Sequence, residues 1–153
     1  MEIAIDDLTS PDVIELLQGH LTEMRGVTPQ EESVHALDVA GLRRPEITVW
    51  SVRDDGALAG CGAVKRLDAT HGEIKSMRTA DTHRRRGVAA HLLAHIEAAS
   101  ARMGLTRLSL ETGAEDFFEP ARRLYLAHEF AYCDPFADYS SDPLSVFMTK
   151  KIA

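Results

Sequence analysis

The sequence predicts one α/β domain over residues 1–153, in which helices flank a mixed and mostly antiparallel sheet in the order βααβββαβαβ. Two observations lead to this prediction. Apolar residues recur with a period of two in some segments and near 3.6 in others, and the two kinds of segment interleave along the chain. The length of 153 residues and the hydrophobic content of 44% also suit one domain with a sizeable core.

The first third of the chain predicts a strand and two helices. Residues 2–8 alternate between apolar and polar types, as in a short strand. Ser10 followed by Pro11 is a typical helix start, with an N-cap residue and then proline in the first turn. Thr28 and Glu31 have the spacing of a capping box, so a second helix is expected from there.

The middle of the chain predicts an antiparallel meander of three strands. Residues 46–54 and 57–67 are two β-rich runs, and the Asp-Gly dipeptide between them is typical of a hairpin turn. A second turn at His71-Gly72 leads into the third predicted strand, residues 73–79.

The last part of the chain predicts a helix, a strand, a helix and a final strand. Residues 87–103 carry an apolar stripe at helical spacing, and the glycine that follows can end that helix. A strand is expected over residues 106–112 and a short helix from Pro120 to His128. The final strand is expected over residues 145–150.

The composition argues against several classes of protein. The net charge is −7, which disfavours a nonspecific nucleic-acid binder because phosphate groups need a basic face. No apolar run approaches the ~20 residues of a membrane span, and the N-terminus is acidic where a signal peptide would be basic. Cys61 and Cys133 lack the CxxC spacing of a zinc site or redox motif. We therefore expect a cytoplasmic protein that binds neither nucleic acid nor a membrane.

A cluster of three arginines is the local exception to the acidic average. It lies between a predicted strand and the start of a predicted helix. The first turn of a helix offers unpaired N–H groups and the positive end of the helix dipole, so it can hold a pyrophosphate. A solvated basic turn is the alternative interpretation. The predicted anion site comprises Arg84, Arg85, Arg86, Gly87, Val88, Ala89 and Ala90.

Two segments resemble signatures of the GNAT superfamily of N-acetyltransferases. RRRGVA is similar to the motif Arg/Gln-x-x-Gly-x-Gly/Ala, with Arg84, Gly87 and Ala89 at its defining positions. ARRLYLAHEF, residues 121–130, is similar to the later AxxLYxxxGF helix of that superfamily. The predicted order of elements is similar over essentially the whole chain, so the resemblance implies a GNAT-like fold.

The C-terminal segment resembles a bacterial GNAT subgroup that ends in the pattern PFxDYxxDPxSxFM. Some members of the subgroup carry labels related to indole acetate, which say little about the acceptor of this chain. Asp138, Tyr139 and Asp142 either line an acceptor pocket or form turns. The acidic balance of the domain is a modest hint of a cationic acceptor.

The resemblance implies an acetyl-CoA-dependent N-acetyltransferase that needs no metal. The acetyl group would pass to a primary amine of a small molecule or peptide by direct attack in a ternary complex. The main chain of Met77, Arg78 and Thr79 would bind the pantetheine arm, where two parallel strands splay apart. An N–H group near Thr79 would polarise the thioester carbonyl. A homodimer is left open.

The resemblance also implies catalytic roles. Tyr125 falls on the tyrosine whose hydroxyl can protonate the leaving thiolate, although its ring could simply pack in the core. Glu73 is the best candidate base, directly or through water, and Glu111 or a water competes with it. Phe118 replaces a frequent asparagine, so one pantetheine hydrogen bond is expected to be missing. Glu129 replaces a usual glycine, at a cost of about 1 kcal/mol in a left-handed conformation.

Other hypotheses stay open. A noncatalytic acyl-CoA-binding regulatory module would carry the same phosphate motif. Replacement of Tyr125 by phenylalanine distinguishes the two, because it should lower turnover and spare coenzyme A affinity only in an enzyme. Nucleic-acid binding through the arginine turn would show a steep salt dependence. His91 and His95 have the i, i+4 spacing of two metal ligands, but a solvated helix face is the simpler interpretation. Cys133 with His128 is disfavoured as a nucleophile pair, since nothing basic is positioned to lower the thiol pKa.

Overall fold

A seven-stranded sheet flanked by four helices forms the part of the chain described by the computed structural model, residues 1–27 and 37–153. The helices are α1 (Pro11–Val27), α2 (Val39–Leu42), α3 (Val88–Arg102) and α4 (Glu119–Ala127). The strands are β1 (Glu2–Ile5), β2 (Ile47–Asp54), β3 (Ala57–Arg66), β4 (His71–Thr79), β5 (Arg107–Gly113), β6 (Ala131–Cys133) and β7 (Ser145–Lys151). They lie in the order β1-β2-β3-β4-β5-β7-β6, and all neighbours are antiparallel except β4 and β5.

This architecture confirms the predicted mixed, mostly antiparallel sheet, but the predicted order βααβββαβαβ lacks one strand. The missing strand is β6, which has only three residues and pairs with β7 through Tyr132 opposite Met148. Three residues are too few for alternation to be visible in a sequence, so a tertiary contact defines this strand. Cys133, expected at a junction between helix and strand, lies within β6.

The N-terminal elements largely follow the sequence signals. The helix α1 begins at Pro11, directly after Ser10, as their types predict. The predicted capping box of Thr28 and Glu31 lies outside the described residues. The short helix α2 has a different start, because the Asp38 carboxylate accepts a hydrogen bond from the Gly41 N–H at 2.8 Å.

The meander is confirmed, with one boundary changed. The hairpin between β2 and β3 turns at an Asp-Gly pair whose φ angles are 52° and 86°. The next turn is completed earlier than predicted, because the Asp68 carboxylate accepts hydrogen bonds from the N–H groups of Thr70 and His71 at 2.8 Å each. The strand β4 therefore starts at His71, and the expected His71-Gly72 turn is part of the strand.

The sheet separates two apolar layers. On the face that carries α3 and α4, the core consists mainly of Ile74, Val88, Leu92, Leu93, Ile96, Leu108, Leu110, Tyr125 and Met148. On the face that carries α1 and α2, it consists of Leu8, Val13, Leu17, Leu42, Val49, Cys61 and Ala63. We call these the α3 face and the α1 face. Ala63 lies opposite Lys75 in the sheet, which places Lys75 on the α1 face.

Glu129 takes the strained conformation that its position predicts. Its φ is 70°, and the N–H of Phe130 bonds to the Tyr125 carbonyl at 3.0 Å, as in a Schellman cap of α4. Glu129→Gly is expected to raise the free energy of unfolding by about 1 kcal/mol, because glycine removes the left-handed cost. Urea unfolding measures this change. Glu129→Ala is the control, since alanine keeps the strain, and an equal gain with alanine would contradict a backbone origin.

Candidate active site

The strands β4 and β5 separate half-way along their length. Their pairing runs from His71 opposite Arg107 to Ile74 opposite Leu110 and then stops. Both strands continue, and β3 and β7 still pair with their outer edges to Thr79 and Gly113. The facing edges of residues 75–79 and 111–113 therefore have no ladder partner in the other strand, which leaves main-chain groups for a ligand.

A β-bulge in β4 shapes this opening. The register with β3 shifts between Cys61, opposite Arg78, and Ala63, opposite Lys75. Ser76 lies in the bulge with a φ of 57°. A Cβ atom at Gly62 would collide with the Met77 sulfur, so a larger residue opposite the bulge would require the Met77 side chain to move. The bulge was not predicted, although a glycine inside a strand is a recognised signal of one.

The arginine turn forms one end of the opening. Arg85 and Gly87 both have positive φ angles, 64° and 77°. The N–H of His91 bonds to the Gly87 carbonyl at 3.0 Å, so the N–H groups of residues 88–90 precede the first bond of α3 and have no partner within the helix. A Cβ at Gly87 would meet no atom within 4 Å, so the glycine serves the backbone conformation rather than close packing.

The opening leads into a cleft of about 650 Å³, lined by nearly all the residues predicted to bind a cofactor. These are Met77, Arg78, Thr79, Arg84, Arg85, Gly87, Val88, Ala89 and Ala90. Arg86 is exposed and does not line the cleft. Arg84 forms an ion pair with Asp81 at 2.7 Å on the surface.

Tyr125 reaches the cleft from α4, on the α3 face. It is 5% exposed, and its ring packs edge-on against Phe130 with centroids 5.6 Å apart. Burial raises the pKa of its hydroxyl above the ordinary value of 10, so the phenol keeps its proton at neutral pH. The side chain therefore belongs both to the core and to the cleft wall.

Phe118 also lines the cleft, at the position where asparagine is frequent in the resembling family. Its ring lies against the end of β5, where a Cβ at Gly113 would collide with it. The Phe118 ring can therefore lie here because residue 113 has no side chain.

Glu73 lies in a buried polar cluster on the α1 face. It is 3% exposed, and its Oε2 accepts hydrogen bonds from the Lys75 ammonium at 3.0 Å and the Tyr139 hydroxyl at 2.6 Å. The Lys75 ammonium also donates to the Tyr139 oxygen at 3.2 Å. Burial and the Glu73 charge raise the pKa of Tyr139 above its ordinary range, so this hydroxyl stays protonated. We call these three residues the Glu73 cluster.

Of the three loop residues considered for an acceptor pocket, Asp138, Tyr139 and Asp142, only Tyr139 lines the cleft. Tyr139 lines the cleft, packed at its ring against Phe136 and Phe147. Asp138 is exposed, and the Asp142 carboxylate accepts a hydrogen bond from the Leu144 N–H at 2.8 Å, within a turn. The sequence could not show the link from Tyr139 to Glu73, because 66 residues separate them.

Glu111 is the first residue of β5 beyond the paired part of the two strands. Continuation of the register that sets Glu73 opposite Ser109 would set Glu111 opposite Lys75. Burial raises the pKa of the Glu111 carboxyl to about 7, and the nearby Ser145 hydroxyl and Lys75 ammonium offset part of this effect. This side chain lines the cleft.

A second polar group lines the cleft where α1 approaches β4. The Arg78 guanidinium forms an ion pair with Glu23 of α1. Burial, and then the Arg78 charge, lower the pKa of His20 to about 4, so this imidazole is neutral at pH 7. Only the main chain of Arg78 was predicted to act here. His20 and Glu23 were not predicted, although their i, i+3 spacing on a helix was an available signal.

The other residues weighed as ligands or nucleophiles lie apart from the cleft. His91 is exposed, and the His95 ring contacts Trp50 edge-on at 6.3 Å. Burial and the Asp134 charge raise the pKa of the Cys133 thiol, which opposes a nucleophilic role. Within residues 1–27 and 37–153, no three His, Cys, Asp or Glu side chains are grouped to hold a metal. None of the helices described has the length and apolar character needed to cross a membrane.

Comparison with known sequences identifies the family. The profile of the Acetyltransferase (GNAT) family matches residues 11–130. YsnE of Bacillus subtilis, named an uncharacterized N-acetyltransferase, is 55% identical over 152 residues, which cover 99% of this chain and 100% of YsnE.

Comparison with solved structures agrees with the sequence matches. A Klebsiella pneumoniae protein named an acyl-CoA N-acyltransferase superposes with a TM-score of 0.80 at 26% identity, covering 99% of this chain and 97% of its own. The PaiA N-acetyltransferase of Thermoplasma acidophilum, solved in complex with coenzyme A, superposes at 0.70 over 99% of both chains. Its 16% identity shows the fold alone. The chain belongs to the GNAT family of acetyltransferases and is an acyltransferase.

Proposed function

We propose that the protein transfers an acetyl group from acetyl-CoA to a primary amine of a small molecule or peptide, by direct attack in a ternary complex. One observation carries this proposal. The cleft at the gap between β4 and β5 has two walls. The protonated phenol of Tyr125 lies on the wall of the α3 face, and the carboxyl groups of Glu73 and Glu111 lie on the wall of the α1 face. Acyl transfer to an ammonium needs both a proton donor and a proton acceptor, one on each side of the reacting carbon.

The residues at the opening suit acetyl-CoA as the co-substrate. The N–H groups of residues 88–90, which have no partner within α3, and the dipole of α3 favour a pyrophosphate, with Arg85 beside them. The edge of Met77, Arg78 and Thr79 that faces β5 is unpaired, so its main-chain groups can bond to a pantetheine amide in place of the missing strand. These two features and Tyr125 all line one continuous cleft.

The proposed step balances its protons through residues of this chain. The ammonium first loses one proton to the carboxyl groups of the α1 face, where Glu73, directly or through water, and Glu111 are the candidates. The nitrogen then attacks the thioester carbon, so that a C–N bond forms and the C–S bond breaks. Tyr125 donates its proton to the leaving sulfur and recovers one from the new amide nitrogen through water. A main-chain N–H near Thr79 stabilises the oxyanion.

The charges of the α1 face favour a cationic acceptor. Three carboxyl groups line it, from Glu23, Glu73 and Glu111, against the two cations Lys75 and Arg78. Each of these cations is already paired, Lys75 with Glu73 and Arg78 with Glu23. An incoming ammonium would therefore meet the remaining carboxyl of Glu111, which supports an amine as the acceptor.

Thiol release from acetyl-CoA tests this function. We expect at least one amine from a panel of tyramine, putrescine, glycinamide and a tripeptide with a free N-terminus to raise thiol release above the rate without amine. Mass spectrometry should find the same amine acetylated. Release that no amine of the panel increases would contradict the proposed function.

A further inference from the structure

We propose that Glu111 is the residue that accepts the proton of the acceptor ammonium, and that Glu73 is a fixed negative charge beside it. This inference rests on the proposed function and deepens it, because it chooses between the two carboxyl groups that the sequence leaves as candidates for the base. The positions of the two carboxyl groups and the contacts that each of them makes support this assignment.

The two carboxyl groups lie on the same face of the sheet. Glu73 and Lys75 are two residues apart in β4, and Ser109 and Glu111 are two residues apart in β5. Glu73 lies opposite Ser109, so all four side chains project toward the α1 face. Because strand pairing stops at Leu110, Glu111 borders the gap itself, where a reacting nitrogen must lie.

The contacts of Glu73 oppose its use as a proton acceptor. Protonation of Glu73 would leave Lys75, whose side chain is 9% exposed, without its buried counter-ion. It would also disturb the hydrogen bond from the Tyr139 hydroxyl, which accepts from the same ammonium. Each of the three groups of the Glu73 cluster thus bonds to the other two, and the Glu73 carboxylate is held by two donors.

Glu111 has the opposite surroundings. It forms no ion pair within the described part of the chain, and the charged or titratable groups that face it are Glu73 and Lys75 of β4, Tyr139 of the loop and Asp142 before β7. Its pKa of about 7 leaves the carboxyl half ionised near neutral pH. A base with a pKa near the working pH is the most efficient kind, and two carboxyl groups with diverging environments commonly divide acid and base roles.

The inference is tested with the pH dependence of kcat/KM for the most reactive amine of the panel, at saturating acetyl-CoA. Glu111→Gln is expected to lower kcat/KM at pH 7 by 10²–10³-fold and to abolish an acidic limb centred near pH 7. The matched variant Glu73→Gln is expected to raise KM for the amine and to keep that limb. A merely structural role of Glu111 would lower the rate without removing the limb.

Thermal unfolding tests whether the Glu111 carboxyl titrates near pH 7, independently of activity. Between pH 4.5 and about 7 the folded protein binds more protons at Glu111 than the unfolded chain does, so this group makes stability fall as pH rises. Glu111→Gln removes that loss. The variant should therefore melt at a higher temperature than the wild type at pH 8, with a smaller difference at pH 4.5.

The outcomes separate this inference from the proposed function. An active wild type, together with a Glu111→Gln variant that keeps the wild-type rate and acidic limb, would overturn the role of Glu111 alone. A wild type that acetylates no amine would overturn both. A melting difference that does not grow from pH 4.5 to pH 8 would overturn the raised pKa and, with it, the division of roles.

Discussion

Tyr125→Phe is expected to lower kcat for amine acetylation by 10²–10³-fold and to leave the dissociation constant of coenzyme A unchanged. The phenol is protonated at neutral pH, since even the ordinary tyrosine pKa is 10 and burial raises the pKa of Tyr125 further, so a proton is available to the leaving thiolate. Phenylalanine keeps the ring that packs against Phe130 and removes only the hydroxyl. Steady-state kinetics and calorimetric titration with coenzyme A measure the two quantities.

The control for this variant is Tyr132→Phe. Tyr132 is exposed in β6 and does not line the cleft, so its hydroxyl should be dispensable. If Tyr125→Phe turns over at the wild-type rate, Tyr125 is not the acid. A noncatalytic acyl-CoA-binding module would show coenzyme A binding in both variants and no amine acetylation in either, a result that the family assignment does not favour.

Ala89→Glu is expected to weaken coenzyme A binding at least 100-fold while the fold is retained. Ala89 is in the first turn of α3 and lines the cleft at the predicted pyrophosphate site. Like charges ~4 Å apart repel by about 4 kcal/mol at an effective dielectric constant of 20, and a 100-fold change needs about 2.7 kcal/mol. A negative charge in the first turn of a helix interacts favourably with the helix dipole, so the thermal stability of the variant should not fall.

Ala94→Glu is the matched control for the phosphate site. Ala94 is exposed on the same helix and does not line the cleft, so the same change of charge should leave coenzyme A affinity within about twofold. Equal losses in the two variants would indicate a general charge effect rather than a site at the start of α3. Calorimetric titration at one ionic strength decides between them, because salt screens exposed charges.

Local signals predicted most of the fold. The helix α1 after Ser10, the Asp-Gly hairpin and the stripe of α3 each depend on neighbours within a few residues. The strand β6 was not predicted, because it has only three residues and is defined by its pairing with β7. The early start of β4 also depends on a side chain, the Asp68 carboxylate, whose hydrogen bonds composition does not reveal.

The site likewise has parts that local sequence predicts and parts that it does not. The arginine turn and the helix that carries Tyr125 are each encoded by one continuous motif, so the sequence could locate the phosphate end and Tyr125. The α1 face is built from distant segments, since Tyr139 reaches Glu73 across 66 residues and Glu23 reaches Arg78 across 55. Only the three-dimensional structure shows that Glu73 is held by partners and that Glu111 borders the gap.

A crystal structure with coenzyme A bound tests the central claim most directly, namely that the gap between β4 and β5 is where the acyl group is transferred. We expect the pyrophosphate on the N–H groups of residues 88–90 and the pantetheine along the free edge of residues 77–79. The sulfur should lie within ~3.5 Å of the Tyr125 hydroxyl, a hydrogen-bond distance for sulfur. Coenzyme A bound elsewhere, or a sulfur far from Tyr125 with the pantetheine outside the gap, would contradict the account.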